Sequence, residues 1–142
     1  MTTCYKSSLT PAQTRLCLTY RNLGLWTFQG WVAMFFLAAG YAKLTEPMEN
    51  LVTLMEWPGR VSESLVRGLG IVEIVLALGL LIPILSWRLG RPVLLTAAIG
   101  LIGLQGLMLA WHLFDQAYGL AAVNAILLAL TLTVFAGRRP AD

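Results

Sequence analysis

Four long apolar stretches, 22–42, 68–87, 92–114 and 116–137, hold a single Asp, Glu, Lys or Arg between them, Glu73. A run of ~20 apolar residues crosses a bilayer core as a helix. Only 12% of the chain is charged, against roughly 25% in a soluble domain, too little to dress a surface for water. These stretches predict an all-α membrane protein, a bundle of four transmembrane helices over residues 22–44, 64–87, 92–114 and 116–137. Tails 1–21 and 138–142 flank it. With 142 residues there is no room for a separate soluble catalytic domain, so chemistry falls to side chains inside or beside the membrane.

Charge placement predicts the orientation. Lys6, Arg15, Arg21, Arg88, Arg91, Arg138 and Arg139 flank one side of the spans, and Lys43, Arg60 and Arg67 the other. Basic residues favour the cytoplasmic side, and four spans return both termini to one face. The expectation is an inner-membrane protein with cytoplasmic N- and C-termini. The run Ala38-Ala39-Gly40-Tyr41-Ala42 has some likeness to a signal-peptide cleavage site, but the polar leader is long for that role, so the first span reads as retained. The arginines stand singly or in pairs beside spans, a pattern that argues against nucleic-acid binding.

Cys4 and Cys17 lie in the tail assigned to the cytoplasm, where thiols stay reduced. They read as free structural thiols, with no Cys-x-x-Cys redox pair. One histidine and two distant cysteines supply no metal-ligand set, and no catalytic residue is assigned.

Between the first two spans, Met48, Leu51, Val52 and Met55 recur at i, i+3, i+4 and i+7. This predicts a short amphipathic helix at the outer interface, ended by Trp57-Pro58-Gly59, with Trp57 at headgroup level. The sharper alternative is a lid over a cavity. Connections around 88–91 and 115 read as tight, and Pro83 as a kink in the second span. Thr96, Gly100, Gly103, Gly106 and Ala110 form a smooth stripe that would let a neighbouring helix approach.

Polar residues inside the spans are concentrated toward the external side. At 1.5 Å per residue, His112 lies roughly 4 Å, Glu73 about 8 Å, Asn124 about 12 Å and Gln105 about 14 Å from the outer ends. Lys43 and Arg67 stand at the lip, while the inner half holds Gln29 and a few hydroxyls. Buried carboxylates in spans need a partner. Lys43 can reach Glu73 by bending its stem inward, whereas Glu63, four residues before Arg67, is the natural partner of that arginine. Three uses of this polar funnel stand open: a structural clamp, a pocket for an amphipathic ligand such as a quinone, or a proton path.

The run Ala39-Gly40-Tyr41-Ala42-Lys43-Leu44 resembles a signature of the DoxX-like membrane proteins. So do Leu69-Gly70-Ile71-Val72-Glu73, Leu78-Gly79-Leu80-Leu81-Ile82-Pro83, Arg91-Pro92, His112 and Asn124. The resemblance implies a four-helix inner-membrane protein. Some members resemble the small subunit of thiosulfate:quinone oxidoreductase, and others accompany redox or stress-response partners. It singles out Lys43, Glu73 and His112, and the cysteine pairs of redox-active relatives are absent. The expected function is a membrane subunit or accessory of a redox-linked complex, with a polar cluster of Lys43, Glu73, His112, Gln105 and Asn124. The alternatives are a quinone-binding oxidoreductase subunit, with quinone as cofactor, and a small proton-coupled transporter acting as a homodimer. Expected partners are the lipid bilayer and either a redox-enzyme subunit or a second copy of the chain.

Overall fold

A computed structural model describes residues 10–139. It is helical throughout, with no strand among the described residues. Helix α1 spans Pro11–Thr45, α2 Met48–Met55, α3 Glu63–Leu81, α4 Trp87–Phe114 and α5 Tyr118–Arg138. Helices α1, α3, α4 and α5 are each long and apolar enough to cross a membrane. Helix α1 packs on α3, α3 on α4, α4 on α5, and α5 closes on α1.

Helix α1 starts well before the first apolar stretch, because Thr10 caps it. The Thr10 N–H donates to Gln13 Oε1 (2.9 Å), and Pro11 follows at a position where its missing N–H is harmless. At 35 residues the helix is about 52 Å long, against a hydrocarbon core of about 30 Å. Its polar first turns therefore project past the bundle. Cys17 lies in this projection and is disulfide-bonded, which corrects the expectation of a free thiol there; Cys4 lies outside the described residues.

Helix α3 stops at Leu81 and passes into a 3₁₀ turn at Ile82–Ile84. Pro83 ends the α-helix instead of kinking it, since its nitrogen has no hydrogen to continue the ladder. Helix α4 then begins at Trp87. Residues 88–91, expected as a connection, are its first turns, and Pro92 lies within it.

The main core joins Val32, Phe36, Leu80, Leu94, Leu101 and Val134 from all four long helices. A smaller cluster gathers Leu51, Trp57 and Val66, with Met48, Met55 and Met108 against it. Helix α2 thus meets protein along its apolar face, and Trp57 is buried in that contact. Elsewhere the long helices present exposed Met34, Ile71, Val75, Ile99, Leu107 and Ile126, an apolar outer surface suited to lipid.

The closest helix approaches use glycines outside the expected stripe. A Cβ on Gly40 would lie 2.7 Å from the Gly70 carbonyl oxygen, and one on Gly79 would lie 2.8 Å from Ala97 Cβ. In the stripe on α4, Thr96, Gly103 and Ala110 are exposed, and nothing lies within 4 Å of a Cβ at Gly103 or Gly106. Hydrophobic bulk decides the face: Leu94, Ala97, Ala98 and Leu101 turn inward, so the smooth stripe turns out except at Gly100, where an added Cβ would lie 2.9 Å from Leu76 Cδ2 of α3.

Candidate functional site

In α1 and α3 the same short pattern recurs, a glycine followed three residues later by a charge: Gly40 and Lys43, Gly70 and Glu73. The helices are antiparallel and cross at the two glycines, so the two charged residues are offset by about 9 Å along the axes. The lysine stem covers that distance by running over Gly70, where an added Cβ would lie 2.9 Å from Lys43 Cβ. Lys43 Nζ donates to both oxygens of Glu73, at 2.7 and 2.9 Å. The residues are 5% and 7% exposed, so this ion pair is buried. An ammonium has three donors, which leaves one for another partner.

Arg67 takes the partner expected for it, Glu63, and not Glu73. Arg67 Nη2 pairs with Glu63 at 3.1 Å. Its Nη1 donates to the carbonyls of Lys43 and Glu46, closing the C-terminal end of α1. Arg67 thereby fixes the turn that carries Lys43.

Beside the ion pair lies a cavity of about 280 Å³, lined by Lys43, Glu73, Gln105, His112 and Asn124 together. All five sequence-predicted residues therefore share one space. Gln105 on α4 donates from Nε2 to Thr131 Oγ1 (3.0 Å), and that hydroxyl donates to the Leu127 carbonyl (2.8 Å). The other amide atom, Gln105 Oε1, is buried with no hydrogen-bond partner among the described residues. Asn124 Nδ2 donates to the Leu120 carbonyl of its own helix at 3.1 Å. His112 is 5% exposed, and no protein group accepts from or donates to its imidazole among the described residues. Buried polar groups nearly always find a partner, so the cavity carries unmet hydrogen-bonding capacity.

The remaining walls are apolar: Phe35, Phe36 and Ala39 of α1, Met108 of α4, and Val123 of α5. Leu54, Met55 and Trp57 enter from α2 and the 3₁₀ turn after it. The alternative offered for α2 is a lid over a cavity, and its Leu54 and Met55 do line this one. Phe35, Leu54 and Val123 are also exposed on the outer surface, so the cavity reaches the outside of the bundle between α1 and α5. Those two helices touch at the end bearing the termini, where a Cβ on Gly137 would meet Leu25 Cδ2.

Gln29 is buried outside this cavity. It donates from Nε2 to the carbonyl of Leu80 (2.7 Å), in the last turn of α3 where intrahelical donors run out.

The DoxX-like family model matches residues 27–134. Comparisons with curated proteins and with solved structures find no match. The matched segment contains the Gly40–Lys43 and Gly70–Glu73 elements and every polar residue of the cavity. The chain belongs to the DoxX-like family.

Proposed function

We propose that this chain is the membrane subunit of a redox-linked complex, and that its cavity receives the head group of an amphipathic ligand, with a quinone as the ligand of the redox reading. The observation that carries the proposal is the convergence of Lys43, Glu73, Gln105, His112 and Asn124 on one cavity with apolar walls. Ligand sites are mostly apolar spaces with a few convergent polar groups, of roughly 300–1,000 Å³. At about 280 Å³ this one suits a head group, with a tail leaving through the gap beside Phe35 and Val123.

The donor set fits a quinone. A ring nitrogen of His112, or the free hydrogen of the Lys43 ammonium, would donate to a quinone carbonyl. Gln105 Oε1, which lacks a donor, would accept from the hydroxyl of the reduced form. A bound quinone would supply two-electron chemistry, and the partner subunit would supply or take the electrons. This chain would bind and orient the head group and keep water from it.

In the test, a quinone analogue should bind the purified chain saturably. His112→Ala and Glu73→Ala should each weaken binding by about tenfold or more, the loss of a hydrogen bond to a charged or otherwise unsatisfied buried partner. Thr133→Val, on the exposed face of α5, should leave it unchanged. Non-saturable binding, or binding indifferent to His112 in a folded variant, would return the cluster to a structural role.

The reading places the chain in the inner membrane with both termini cytoplasmic. Its support is the excess of basic residues at the termini end. A reporter active only in the cytoplasm, fused after Asp142, should give signal, and one inserted within 48–56 should not. The reverse pattern would invert the topology.

A further inference from the structure

The bundle end opposite α2 carries a second polar cavity, of about 510 Å³, lined by Arg21, Asn22, Trp87, Arg91, Arg138 and Arg139. It shares no residue with the cavity described above. Charge is sorted between the two ends. The described acidic residues, Glu46, Glu49, Glu56, Glu63, Glu73 and Asp115, all lie in the α2 half, and the three ion pairs among the described residues are there. None of the four arginines of the second cavity has a carboxylate partner among the described residues.

Arg138 is the centre of this site and is 6% exposed. Its guanidinium lies against two indole rings, 4.9 Å from the centroid of Trp26 and 4.8 Å from that of Trp87. Nη1 donates to Asn22 Oδ1 at 2.7 Å, and Arg91 Nε donates to the Arg138 carbonyl at 3.0 Å. Nε and Nη2 of Arg138 are buried with no acceptor among the described residues. Those two atoms form one edge of the guanidinium fork, the edge that pairs two oxygens at once. A buried cation with an unmet edge, beside three more guanidiniums, calls for an anion.

We infer that this cavity binds the phosphate of an anionic phospholipid headgroup. Its place where α4 begins, α5 ends and α1 passes out of the bundle is where headgroups lie beside a spanning bundle, and indole rings favour the same level. Basic pockets between transmembrane helices take such head groups. Leu25, Ala136 and Gly137 make the apolar side of the cavity, against which an acyl chain can lie. No carboxylate among the described residues lines it to receive a choline ammonium, so the site favours an anionic headgroup over a zwitterionic one.

The test uses the full chain in non-ionic detergent, titrated with short-chain phosphatidylglycerol, short-chain phosphatidylcholine or inorganic phosphate. Phosphatidylglycerol should bind saturably and about tenfold or more tighter than the other two. Arg21→Gln combined with Arg139→Gln, both at exposed positions, should weaken it by about tenfold, since two interfacial cations are lost. Arg15→Gln combined with Arg88→Gln removes the same charge from exposed positions off the cavity, and should change binding by less than about twofold. Equal affinity for the two lipids would overturn the inference, and this comparison needs no variant. Equal losses in the two double variants would overturn it as well, leaving net charge alone. Inorganic phosphate binding as tightly as the lipid would replace the headgroup by a free anion. None of these outcomes depends on quinone binding in the other cavity.

Discussion

Replacing Glu73 by Gln should destabilise the protein by about 3–5 kcal/mol, the cost of stranding one member of a buried ion pair. Lys43→Met should have an effect of similar size, for the reciprocal reason. Both side chains are almost fully enclosed, at 6% and 9% exposure, and the surrounding hydrocarbon offers an orphaned charge no solvent. The double variant Lys43→Met with Glu73→Gln should cost much less than the sum, because it strands neither charge. Unfolding of the four proteins in detergent measures the coupling, and strictly additive losses would show that the pair does not act as a unit. The contrast is Arg60 with Asp115, also in contact but with the arginine side chain 60% exposed. Arg60→Gln should cost about 0–1 kcal/mol, as expected for a solvated pair.

Gly40→Ala should destabilise by about 1–3 kcal/mol, the usual range for forcing a methyl group into filled space. The new Cβ would meet both the Gly70 carbonyl oxygen and Ile74 Cγ1 at 2.7 Å. A backbone oxygen cannot rotate aside, so α3 itself must move. Because that crossing sets how far the Lys43 stem must reach, the substitution should also reduce the Lys43–Glu73 coupling when the cycle is repeated in its background. Gly103→Ala, with nothing within 4 Å of its Cβ, should be neutral or stabilising by up to about 1 kcal/mol through helix propensity. Thermal unfolding of the two variants side by side checks the contrast. Equal effects would mean that α1 and α3 do not meet at Gly40.

These two cases mark what the sequence makes legible. An ionisable residue in an apolar stretch must find a partner, so Lys43 and Glu73 could be paired from burial cost and helical rise alone. The same arithmetic placed Gln105, His112 and Asn124 at neighbouring depths, and they line one cavity. The α2 helix was readable because its apolar spacing has a single period. Which glycines touch was not readable. Small residues permit close approach everywhere, and only the three-dimensional competition among Leu94, Ala97, Ala98 and Leu101 chose the inward face of α4. The burial of Arg138 was hidden for a similar reason: its indole and amide neighbours, Trp26, Trp87 and Asn22, come from helices distant in the chain. The start of α1 at Pro11 depends on one local cap, which hydropathy does not register.

The seam between α1 and α5 also fixes an order of events during synthesis. Phe35, Phe36, Ala39 and Lys43 are made before Leu120, Val123 and Asn124. A nascent chain that has inserted α1, α3 and α4 can already join Lys43 to Glu73, yet it has an open trough in place of the cavity. Arrival of α5 brings Thr131 to Gln105 and Arg138 to Asn22, and the trough gains its last wall. The enclosed space thus depends on α5, and a chain truncated before α5 would carry the ion pair without it.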